Sequence, residues 1–156
     1  MKNPFKPKHI GVHMLRWHLI PRNLFRFNIY LHKIYANDDE RAVHDHPWNS
    51  FSIKLFGGTL IEIYKDSHTD ISGGNWSLIG SRTPPRLCYR SADFAHRLEI
   101  PGKPVWTLFF TGRYRKSWYF HCPDRGMVHY SHMTTLEGTA IANCGDLPAG
   151  DVKSRR

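Results

Sequence analysis

Apolar side chains fall at every second position along most of this chain, in runs too short and too often interrupted for helices. In FNIYLHKIY, Phe27, Ile29 and Leu31 alternate with Asn28, Tyr30 and His32, and in SFSIKLF the apolar set is Phe51, Ile53 and Leu55. TLIEIYK, RLCYR, FAHRLEI, PVWTLFFTG and KSWYFHC continue the pattern, with Gly57-Gly58, Pro84-Pro85, PGKP and TGRYR between runs. Successive side chains on a strand point to opposite faces, so this rhythm predicts an all-β, antiparallel sandwich or barrel. With 156 residues, 40% of them hydrophobic, the chain can close a single core. Residues 1–10 are expected to form an N-terminal arm, 11–130 the barrel, and 131–156 an irregular extension, flexible at its end. Asn37-Asp38-Asp39-Glu40 reads as a solvated turn.

No apolar run approaches the roughly 20 residues that span a bilayer, so no membrane partner is expected. The start, MKNPFKPKHI, lacks the apolar stretch of a secretion signal. Cys88, Cys122 and Cys144 are odd in number and show no metal-like pairing, which points to reduced thiols and a cytoplasmic location. Lysine and arginine total 22 against 13 acids, a net charge of +9 that suits an anionic partner, nucleic acid among them.

Eleven histidines make a bare His-x-His pattern weak evidence, and context has to carry it. On a strand, His44 and His46 project side by side while Asp45 faces the other way. A tight metal site needs a third donor from elsewhere. His96 qualifies, because it shares a face with apolar Leu98 and Ile100 and must find a partner there, while Arg97 and Glu99 face away.

His44, His46 and Gly58, followed by a hairpin-forming interval and then Ser91-Ala92-Asp93 before His96, resemble the two motifs of the cupin superfamily. The likeness covers residues 27 to 121 and is to compact single-domain cupins of phages and bacteria. It implies a jelly-roll-like β-barrel with a divalent metal, Fe(II) or alternatively Zn, Mn or Ni, held by His44, His46 and His96. The family's carboxylate ligand belongs near residues 50 to 52, where this chain has Ser50-Phe51-Ser52. A three-imidazole site remains, as in some cupin-like thiol dioxygenases, and it implies a dioxygenase-like enzyme acting on a small anionic substrate. Asp38, Asp39 or Glu40 folding over as a fourth ligand is the alternative.

Around that site, Arg41 and Arg90 are expected to clamp a substrate carboxylate or phosphate, with Tyr30, His32 and Trp48 as further substrate contacts. Trp106, Trp118 and Tyr119 are candidates for pocket wall or core. Asp93 is placed behind His96, either capping its turn or bonding the imidazole. No general base stands out. His121, Cys122, His129 and His132 offer a weaker, separate zinc set. Two other readings use the same scaffold: a non-catalytic binding module with a nucleic-acid or host-protein partner, and a metal-assisted isomerase or epimerase. A homodimer through edge strands is expected.

Overall fold

The computed structural model describes residues 6–22, 25–38, 42–65, 80–122, 125–135 and 140–146. Its strands are β1 (Lys8–Ile10), β2 (Met14–His18), β3 (Asn28–Ile34), β4 (Ser50–Gly57), β5 (Ile61–Tyr64) and β6 (Gly80–Arg82), then β7 (Leu87–Arg90), β8 (His96–Glu99), β9 (Val105–Thr111), β10 (Tyr119–Cys122) and β11 (Gly126–His129). One sheet has the order β1-β2-β3-β9-β4-β7 and another β6-β5-β8, while β10 and β11 form a hairpin. Every pairing is antiparallel. The result is the all-β, antiparallel architecture that the alternation predicts, and it fits the jelly-roll-like fold that the resemblance implies, although among the described residues the ladder is not continuous from one sheet to the next.

The two sheets pack through Met14, Ile34 and Val105 of the larger one against Leu60 and Ile100, which flank β5 and β8. A second apolar cluster joins Ala42, Phe120, Cys122, Val128 and Met133. At the end of β4, Gly57 has φ 111° and its missing Cβ would collide with the Pro104 carbonyl, so the closing glycines are required by backbone approach.

Between the clusters the interior is polar. Tyr30 and His32 on β3, Ser50 and Ser52 on β4, Arg90 on β7, His96 on β8 and Thr107 and Thr111 on β9 are all buried. Their neighbours Ile29, Leu31, Phe51 and Ile53 are only part-buried on the outer face, where Phe56, Leu87 and Tyr89 are exposed. The period of two is as expected, but in β3 and β4 the polar set faces inward. Several of these buried polar groups are bonded to one another, Arg90 to Ser52 among them.

Near the N-terminus, Lys8–Ile10 is a strand on the edge of the large sheet, paired with β2. Beyond residue 130, Met133 is fully buried and Cys144 forms a disulfide with Cys122. The expectation of three reduced thiols therefore fails for two of them, and Cys88 alone is free and buried. A disulfide is at odds with the reducing cytoplasm that the cysteine count suggested. No helix among the described residues is long and apolar enough to cross a membrane.

Candidate metal centre

Backbone pairing brings the two histidine motifs together. His44 and His96 each donate their amide N–H to the other's carbonyl at 3.0 Å, and the His46 amide reaches Ala92 O at 3.2 Å. His44 also bridges to Phe120 of β10, so the His44–His46 segment is an extra rung between β8 and the hairpin. Asp45 points the opposite way, as alternation requires, and is buried. Its carboxylate accepts from the Tyr119 amide and the Lys116 ammonium, both at 2.8 Å, and lies 3.4 Å from His121 Nε2. Burial alone would raise the Asp45 pKa, but those donors hold it below the usual range. Asp45 thus bolts the histidine rung to the next segment of chain.

The three imidazoles are gathered on the inner side. Ring centroids of His46 lie 5.1 Å from both His44 and His96, and His44 and His96 are 6.2 Å apart. His46 Nε2 faces His96 Nε2 at 2.9 Å. His44 packs on Trp118 and Phe120, and its Nε2 is 3.6 Å from Asp38, whose other oxygen is 3.7 Å from His13 Nε2. Asp38 is fixed there by its own amide bond to Leu98 O, so the expectation of a solvated turn fails at this residue. As placed, no three His, Cys, Asp or Glu side chains among the described residues share a point from which to hold an ion. His46 and His96 face each other, with His44 alongside and turned to Asp38.

Behind His96 lies Glu62 of β5, whose side chain is 0% exposed. Glu62 Oε1 contacts His96 Nδ1 and the Arg90 Nε, both at 2.5 Å, and Oε2 takes Arg82 Nε at 2.8 Å. Burial pushes this carboxyl's pKa up, but the His96 bond and the Arg90 charge outweigh burial and hold it at about 2. His96 is kept below its usual pKa, chiefly by burial and against the pull of Glu62, and His46 further below by burial and its two histidine neighbours. A neutral His96 bound to a carboxylate carries its proton on Nδ1, which leaves the Nε2 lone pair facing His46.

The expected substrate contacts fare unevenly. Arg90 is buried and bonded to Glu62 and Ser52 Oγ. Asp93 is not behind His96; its side chain is 84% exposed and pairs with Lys116 at 2.7 Å, and Glu62 holds the place assigned to it. Arg41, Asp39 and Glu40 lie outside the described residues. Trp106 stacks on Trp17 on the outer face, away from the lumen. The separate zinc set is ruled out by the Cys122 disulfide, and His129 is occupied by Ser117 and Ser131.

Tyr30 and His32 do line the lumen, stacked on each other, together with Arg16 of β2. Arg16 donates from Nε to His32 Nε2 at 2.9 Å and covers the Tyr30 ring at 4.5 Å. Burial lowers its pKa to about 10, and its charge reaches His46. It was legible only as the polar alternate of Leu15 and Trp17.

His32 makes the fold acid-sensitive. Burial first, and Arg16 second, hold its pKa well below 6.5. Below pH 6.5 the unfolded chain binds a proton that the folded chain refuses, so stability falls on acidification by up to about 1.4 kcal/mol per pH unit. Chemical denaturation between pH 7.5 and 5.5 checks this, and the slope should flatten in His32→Gln.

Comparisons with known proteins bear on the fold. No family model matches the sequence, and no curated protein matches it. Among solved structures, a variant of the Bacillus subtilis oxalate decarboxylase matches with TM-score 0.50 and 13% identity, over 74% of this chain and 29% of that one. The chain has the cupin fold. A cupin superfamily protein from Desulfitobacterium hafniense aligns at TM-score 0.44 and 15% identity, over 66% of this chain and 80% of that one. AerE from Microcystis aeruginosa aligns at 0.49 and 16%, over 69% and 44%. The chain spans less than half of AerE and under a third of the oxalate decarboxylase. At such identities only the fold is shared, and chemistry has to be argued from the chain's own residues.

Proposed function

We propose that this cupin is a metal-dependent enzyme that binds one divalent ion through His44, His46 and His96 and acts on a small anionic substrate. The observation that carries the reading is the facing His46–His96 pair. Two metal–nitrogen bonds of about 2.1 Å at a right angle put their nitrogens about 3.0 Å apart. The pair stands at 2.9 Å, with both rings neutral and the His96 tautomer set by Glu62. Asp38, next to His44, would supply the carboxylate that Ser50-Phe51-Ser52 lacks. Iron(II) is the ion we favour: bound to neutral imidazoles it keeps its positive charge and offers Lewis-acid and redox chemistry to dioxygen and substrate.

The chain's own contribution is positioning. Glu62, neutralised by Arg82 and Arg90, orients His96 and keeps its Nε2 basic. Arg16, presented into the lumen beside Tyr30, takes the anion-binding role expected of Arg90. Elemental analysis of tag-free protein loaded with Fe(II) under argon tests the reading. About one equivalent is expected in the wild type, with the ion lost in His46→Ala and His96→Ala. Wild-type protein that takes up no ion, or variants that keep it, would remove the proposal.

A further inference from the structure

A cleft of about 520 Å³ opens where β3 begins and β9 ends, and its walls combine Arg22, Arg26 and Arg113 with Phe25, Trp48 and Tyr114. None of the three arginines is paired with a carboxylate among the described residues, and all three are exposed. The lining contains no acid, so the guanidinium charges add without compensation. Phe25 and Tyr114 expose 52% and 71% of their surface, an unusual outlay of aromatic area on the rim of a basic cleft. Trp48 adds a third observation: its Nε1–H is buried and finds no acceptor among the described residues. A sequestered donor without a partner is costly, and a ligand in the cleft that Trp48 lines would offer it an acceptor.

We propose that this cleft binds a nucleotide unit, with its phosphates on Arg22, Arg26 and Arg113, its base against the aromatic rings, and an oxygen or ring nitrogen on Trp48 Nε1. Guanidinium groups suit phosphate oxygens, and aromatic side chains accept any base face. Three cations match a polyphosphate or adjacent phosphates of a strand better than a single carboxylate. The site does not depend on the metal centre.

Titration calorimetry of the full chain as purified tests it with three probes: ATP, inorganic tripolyphosphate and a single-stranded hexathymidylate. ATP or the oligonucleotide should bind, with affinity falling as salt rises. Tighter binding of the oligonucleotide identifies a strand as the source, and tighter binding of ATP a free nucleotide. The Arg26→Ala/Arg113→Ala double variant, altered only at exposed side chains, should bind at least about tenfold more weakly while melting like the wild type. Trp48→Phe should weaken binding as well. His96→Ala should bind like the wild type, which separates this site from phosphate held by a metal. Absence of binding by both ATP and oligonucleotide, unchanged affinity in the double variant, or tripolyphosphate binding as tightly as ATP would overturn the proposal.

Discussion

Glu62→Ala should be the most damaging single substitution in the lumen, lowering stability by about 3–5 kcal/mol and the melting temperature by about 10 °C. The carboxylate is fully buried and is the shared partner of Arg90, Arg82 and His96. Removing it strands the Arg90 guanidinium, itself buried, with Ser52 Oγ as its remaining partner in the lumen. An uncompensated buried cation is far more costly than the net worth of the intact pair. Glu62→Gln separates charge from shape, because the amide fills the space and still accepts from His96. It should fold better than Glu62→Ala yet bind the metal about 10–100-fold more weakly than the wild type. Thermal melts with metal titrations check both. A Glu62→Ala protein that melts like the wild type would mean the network carries no stability.

The second large effect is expected at the C-terminal staple. The Cys122–Cys144 link spans a sequence separation of 22, and chain-entropy arguments put closure of such a loop at about 3 kcal/mol. It ties the residues after β11 to the Phe120–Val128–Met133 cluster, the same packing that backs Trp118 against His44. Cys144→Ser should therefore lower the melting temperature by about 10 °C. Dithiothreitol should produce the same loss in the wild type and no further loss in the variant. A wild-type melt insensitive to reductant would show that the thiols are free.

Much of this fold could be read from alternation, but not its polarity. Period two in FNIYLHKIY and SFSIKLF locates β3 and β4, but alternation alone does not say which of the two faces is buried. The buried face carries Tyr30, His32, Ser50 and Ser52, and Phe51 and Ile53 lie part-buried on the other. His44, His46 and His96 were legible because a strand puts i and i+2 on one face and because His96 sits on an apolar stripe. Glu62 was not, since it is one acid in a strand with nothing nearby in sequence to mark its partners. Its role comes from the β5–β8 register, which sets Glu62 opposite Leu98 and Tyr64 opposite His96. Asp93, adjacent to the motif, was the natural guess and faces solvent instead. The disulfide was hidden for a similar reason: an odd count and a distant partner give no local signal.

The most direct test of the central claim is anomalous diffraction from crystals loaded with Fe(II), collected on both sides of the iron edge. One strong peak is expected about 2.1 Å from both His46 Nε2 and His96 Nε2 and within bonding distance of His44 Nε2. A peak elsewhere, or none while iron is present in the crystal, would contradict it.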